Sequence, residues 1–427
     1  MTGPEAASPV ALAPPTELPS GLRRYGAVWR LPGAPTLVVA GVLGRLSTGM
    51  APLALVLLLA QVTGSYALAG LASALFGLAN AVGGPALGRL ADRHGPTPVL
   101  LASGVVYPLA TGAVLAAAYL RAPAGAVLAT CALLGLVMPP LTATLRSVWT
   151  DITTGARSAL RSPALSLETT VFEVVFVVGP MLVGILAALL SPSAALAAAG
   201  LLTAGGTLTV ALGEATRASR PHPDRVRARG LGPLLAPGMP MLMAVTGSVT
   251  FAFGVVGVTV PAFAAEHLGH ASSAPAGVLL GLWGVGSVTG GLWFGTRHFR
   301  ASLPAQWAVT LSLVALGMAS LAIAWSVPVL AVAMLLSGCT LAPSLTVENA
   351  LVSRIAPAGQ VNEAYTWLVT VAVALAALGS SVAGLIVDEP GGVRWAFGLA
   401  ATTTAMAAGI AAIPRSPLRK AAAAPAS

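Results

Sequence analysis

The chain has 427 residues, 56% of them apolar and only 8% charged, with a net charge of +9. A soluble domain carries about 25% charged residues, so a surface made chiefly for water is excluded. The positive balance does not mark a nucleic-acid binder either, because the basic residues stand singly between apolar stretches with no stacking aromatics beside them.

Residues 1–33 are rich in Pro, Ala and Ser, bury too little apolar surface to fold, and are expected to form a disordered cytoplasmic tail. Arg23 and Arg24 have no apolar run directly behind them, which argues against a signal peptide. Beyond the tail, apolar runs long enough for the roughly 30 Å hydrocarbon layer fall near 35–60, 66–87, 98–120, 124–145, 163–190 and 193–213. Six more fall near 239–263, 275–295, 304–324, 328–347, 364–387 and 393–413. In lipid only helices and closed barrels satisfy the backbone, and runs of this length are helices. The expected fold is therefore all-α and integral to the membrane, with twelve transmembrane helices. Cys131 and Cys339 each lie within an apolar run with no neighbouring Cys or His, so they read as small buried residues and no metal site is expected.

Orientation follows from the basic residues. With the N-terminus in the cytoplasm, nineteen of the 22 fall in tails and cytoplasmic loops, Arg121 and Arg394 fall outside, and Arg45 lies within the first span. Cytoplasmic loops collect Lys and Arg, so both termini are expected on the cytoplasmic side of a bacterial-type inner (plasma) membrane. The segment 214–238, with five arginines, is the longest polar connection. It divides the chain into a six-helix half over 34–213 and a second over 239–413, followed by a cytoplasmic tail over 414–427.

The halves share an internal repeat. Residues 69–93 align without gaps on 276–300, with eight of 25 positions identical, five of them glycines. Gly70, Gly77, Gly83, Gly84 and Gly88 fall on Gly277, Gly284, Gly290, Gly291 and Gly295. The match pairs the second span with the eighth, the register of a parallel repeat about an axis along the membrane normal. A weaker echo sets Gly179, Pro180 and Gly184 in the fifth span against Gly379, Ser380 and Gly384 in the eleventh.

After the second span stands Gly-Arg-Leu-Ala-Asp-Arg-His-Gly, Gly88 to Gly95. The glycines suit a tight turn between packed helices, and Asp92 can set its charge against a helix N-terminus or a cation. A plain polar turn that orients the hairpin would use the same residues. The segment resembles the signature loop of the major facilitator superfamily, matched at Gly88, Asp92, Arg93 and Gly95. The second-half copy keeps only Gly295 and Arg300, with Phe299 in place of the aspartate. The resemblance implies two six-helix repeats around a central cavity, alternating access, and a gating role for Gly88, Asp92, Arg93 and Gly95.

Charges inside the membrane are costly and often mark a pathway or coupling site. Arg45 lies on a face flanked by Gly41 and Gly49, suited either to an ion pair within the first half or to a substrate contact. In the fifth span Glu168 and Glu173 lie about 140° apart. Glu168 is near enough the cytoplasmic end to reach headgroups, Arg157 or Arg161, and with Arg45 it is also a candidate for coupling to protons or substrate. Glu173 aligns with Pro180 and Gly184 within about 20° and is a candidate for handling protons or substrate. Arg146 and Glu348 are expected at the cytoplasmic edges of the fourth and tenth spans. The run Gly179-Pro180-Met181-Leu182-Val183-Gly184 resembles the fifth-span motif of proton-coupled drug exporters, with Val183 in place of one glycine; Gly179, Pro180 and Gly184 give a kinked, closely packed helix.

No nucleophile–base pair and no Gly-rich nucleotide loop is present, so neither an enzyme nor an ATP-driven pump is expected, and no cofactor is implied. The resemblance points to a secondary active transporter, with proton-coupled export of a small lipophilic compound as the leading reading. The alternative is proton-coupled import of a sugar or organic acid. The expected partners are a small-molecule substrate, protons and the lipid bilayer, with no nucleic acid, and the chain is expected to act as a monomer.

Overall fold

The computed structural model describes residues 23–219, 233–268, 274–297, 299–357, 360–414 and 416–423. Among the described residues every regular element is helical. Twelve helices are long and apolar enough to cross a membrane. The first six spans are Ala34–Thr63, Tyr66–His94, Pro96–Tyr119, Ala124–Ile152, Arg157–Leu189 and Pro192–Leu212. The second six are Met239–Leu268, Pro275–Gly295, Leu303–Ala322, Val327–Ile355, Glu363–Val387 and Gly392–Ala412.

All twelve expected spans are present, but several helices run past the expected ends. The second continues to His94, the fourth to Ile152 and the tenth to Ile355. Hydropathy locates the part that needs lipid, whereas Arg, Leu, Glu and Ala keep the backbone helical beyond it. The fourth span is interrupted between Leu136 and Leu141, where Pro139 and Pro140 remove two backbone donors.

Part of the expected 1–33 tail is ordered. Residues 1–22 lie outside the described part, but Arg23–Trp29 is a short helix. Val28 is fully buried in a cluster with Leu37, Trp149 and Ala164. Two apolar residues, Val28 and Leu31, find a pocket at the base of the first half, which composition does not show. In the expected linker, Glu214–Ala218 and Pro233–Leu235 form short helices, and 220–232 lie outside the described residues. After the last span, Pro417–Ala423 is helical with Leu418 fully buried.

The internal repeat is visible as matched backbone crossings. A methyl on Gly83 would overlap the Leu136 carbonyl of the fourth span, and one on Gly290 would overlap the Cys339 carbonyl of the tenth. A methyl on Gly135 would strike the Phe76 carbonyl, and one on Gly338 the Trp283 carbonyl. Helices in lipid have no hydrophobic drive to associate, so close backbone approach at small residues supplies much of the contact. Of the glycines that align the two halves, Gly83 and Gly290 are therefore required by packing, whereas Gly77, Gly84, Gly88 and Gly295 would each accept a methyl.

Candidate functional site: a buried ion pair and the interface between the halves

Arg45 is 2% exposed, midway along the first span. Its Nε donates to the Gly41 carbonyl of its own helix at 3.0 Å. Its two terminal nitrogens hold Glu168 of the fifth span in a fork, Nη1 to Oε1 at 2.6 Å and Nη2 to Oε2 at 3.3 Å. Glu168 is itself 3% exposed, and its Oε2 also accepts from Trp149 Nε1 at 3.2 Å. The Arg45 guanidinium lies 5.6 Å from the centre of the Phe172 ring. Phe172 meets Phe176 edge to face, 5.1 Å between ring centres.

This cluster gives Arg45 an ion-pair partner within the first half. It also corrects the expected surroundings of Glu168, which does not face headgroups, Arg157 or Arg161. Arg161 instead donates to the Thr150 carbonyl at 3.3 Å. The bidentate fork and the indole N–H satisfy a carboxylate that would otherwise be a costly orphan. Trp149 was missed because the fourth span was expected to stop at 145, and Phe172 because an aromatic inside an apolar run carries no signal of its own.

The segment Gly88 to Gly95 is not the loop its pattern suggests. The second helix runs through Gly88, Asp92 and Arg93 to His94, and only Gly95 turns the chain. Gly95 has φ +89°, a conformation that favours glycine. Gly88 is not needed for the turn, since a methyl there would make only an ordinary 4.0 Å contact with Ala143. Asp92 is half-buried on the last turn and Arg93 is exposed. Arg93 and His94 at this terminus complement the negative end of the helix dipole.

The fifth-span run Gly179, Pro180, Gly184 is one side of a crossing between the halves. A methyl on Gly277 of the eighth span would overlap the Gly184 backbone and the Pro180 carbonyl. Farther along, one on Gly284 would lie 3.0 Å from Val177 Cγ2. The matched crossing joins the second and eleventh spans, where a methyl on Gly70 would overlap the Ser380 carbonyl. Gly179 faces its own half, against the Gly49 backbone. Glu173 lies on the helical register that continues Val177, Pro180 and Gly184, but its side chain falls outside the described residues.

The second half holds a different kind of acid. Glu348 stands on the tenth helix one residue past the expected end of the apolar run, and it is 6% exposed. The Thr246 hydroxyl of the seventh span is the polar group beside it. No ion pair to Glu348 occurs among the described residues. Its burial carries no signal in the sequence, because hydropathy falls off where the apolar run ends while the helix continues to Ile355.

Two six-helix repeats with paired glycine crossings define a membrane transport fold. A sequence model of the Major Facilitator Superfamily matches residues 37–325, and the chain belongs to that family. No curated protein sequence matches it. Among solved structures, the nucleoside transporter NupG superposes with a TM-score of 0.67 at 12% identity, covering 88% of this chain and 98% of that one. A bacterial homologue of the human lysosomal transporter Spinster, inward-facing and occupied, gives 0.68 at 15% identity, with 92% and 97% covered. The human organic anion transporter MFSD10 (TETRAN) gives 0.56 at 18%, covering 88% and 99%. The chain is a multi-pass membrane transporter, not an enzyme.

Proposed function

We propose that this protein exports a small lipophilic compound in exchange for protons, across a bacterial-type inner membrane, with both termini cytoplasmic. The observation that carries the reading is the contrast between two carboxylates that are buried among the described residues. Glu168 is paired with Arg45 at 2.6 Å. Glu348 is buried beside the Thr246 hydroxyl, with no ion pair among the described residues. An uncompensated charge in the membrane interior is expensive, and a proton removes that cost where no cation is available. Glu348 is therefore assigned to proton handling, Glu173 is kept with it from its place in the sequence, and Arg45 with Glu168 is the fixed support of the first half.

Two further observations favour export over import of an acid or sugar. The deep cation that an organic anion would need is already bound to Glu168. The aromatic pair beside it ends in Phe176, which is 44% exposed, an apolar contact suited to a lipophilic substrate. The fifth-span resemblance to proton-coupled exporters agrees with this. In the cycle, substrate binds between the halves, and Asp92 and its neighbours bias which end opens.

The coupling is tested by proton flux on substrate addition to reconstituted vesicles. Glu348→Gln and Glu173→Gln should each keep downhill exchange and lose gradient-driven movement, since glutamine mimics the protonated acid but cannot release a proton. Normal flux in both variants would remove proton coupling through these residues. Asp92→Asn should insert normally and transport roughly tenfold more slowly or worse, the scale of a typical conformational coupling energy. Parental rates in that variant would reduce the segment to a hairpin turn.

A further inference from the structure

At the end of the bundle opposite the described terminal helices, the eleventh span stops at Val387 and Asp388 follows. The Asp388 carboxylate serves a helix of the other half. Its Oδ1 accepts from the backbone N–H of Tyr66 at 2.8 Å. Its Oδ2 accepts from the N–H of Ala67 at 2.9 Å and from the Ser65 hydroxyl at 2.9 Å. Tyr66 and Ala67 are the first two residues of the second span. Their N–H groups are among the four that a helix N-terminus leaves without internal partners, at the positive end of its dipole.

The neighbourhood ties the same two halves together. The Tyr66 hydroxyl donates to the Pro261 carbonyl of the seventh span at 3.5 Å. A methyl on Gly384 would overlap the Tyr66 carbonyl, so the eleventh helix lies directly against the start of the second. The echo that sets Gly184 against Gly384 puts Ala188 where Asp388 stands, so the fifth span carries no matching acid.

We propose that Asp388 is a latch between the halves, which holds this end of the transporter shut and sets how readily it opens in each cycle. Opening this end separates the second span from the eleventh, and three hydrogen bonds to one carboxylate must then break together. Bonds to an ionised acceptor are stronger than neutral ones, while exposure to water keeps the latch weak enough to release. The second helix does not depend on it. Ser65 is that helix's own cap, its hydroxyl accepting from the Leu68 N–H at 3.3 Å. Loss of Asp388 therefore removes a tie between halves and leaves the helix capped.

The test uses the full chain in lipid with spin labels at Leu120 and Trp325, which are 80% and 69% exposed at this end, one in each half. Asp388→Ala should raise the ratio of open to closed distances about tenfold, equivalent to about 1.4 kcal/mol. Asp388→Asn should fall between that variant and the parent, and thermal stability should hardly change in either. The inference concerns the position of the halves and stands apart from substrate and coupling. Superimposable distance distributions in the parent and Asp388→Ala would overturn it. If the alanine variant does not insert, Asp388→Asn decides alone: a distribution unchanged from the parent refutes the latch, and a larger open fraction supports it.

Discussion

Glu168→Ala is expected to destabilise the first half by about 3–5 kcal/mol, the range for removing one partner of a buried ion pair. The substitution leaves Arg45, 2% exposed, with no anion, and leaves the Trp149 N–H with no acceptor. The guanidinium cannot shed its charge and cannot swing to solvent from midway along a packed span. Thermal unfolding in detergent and the amount of protein recovered from membranes both report the effect. Replacing both partners, Arg45→Leu with Glu168→Leu, should recover most of the stability, because no charge is left uncompensated. A Glu168→Ala protein as stable as the parent would show that the pair is not the support described above.

Gly277→Val should abolish transport while leaving insertion intact. The added carbon meets the Gly184 backbone and the Pro180 carbonyl, and a backbone cannot rotate aside as a side chain can. Overpacking a tight contact costs about 1–3 kcal/mol. Here the cost falls only on the state in which the fifth and eighth spans touch, so it biases the cycle rather than the fold. Gly112→Ala and Gly398→Ala are matched controls, since a methyl at either position meets nothing within 4 Å. Both should transport normally. Parental uptake rates in Gly277→Val would mean that the crossing is not part of the cycle.

The spans were legible because lipid thickness imposes one length on every helix, whatever it packs against. The repeat was legible for a related reason: Gly70, Gly83, Gly277 and Gly290 each admit a backbone, and that demand survives where other side chains drift. The site was less so. Arg45 meets Glu168 across 123 positions of sequence, and no local pattern names that partner. The burial of Glu348 and Trp149 is hidden for one reason, because hydropathy falls off before the fourth and tenth helices end. Gly88 was read as a turn residue from a motif, whereas the chain keeps hydrogen-bonding helically until Gly95, the first residue with a backbone that a side chain would strain. Asp388 gave no signal at all, since a single acid after an apolar run looks like an ordinary helix end.

The most direct test of the whole account is accumulation of a panel of labelled compounds in reconstituted vesicles, with and without an imposed pH gradient. The account predicts that lipophilic members move uphill only when the gradient is present, that protons flow the opposite way, and that dissipating the gradient stops both. Uptake of sugars or organic acids with the proton gradient, or movement indifferent to pH, would contradict it.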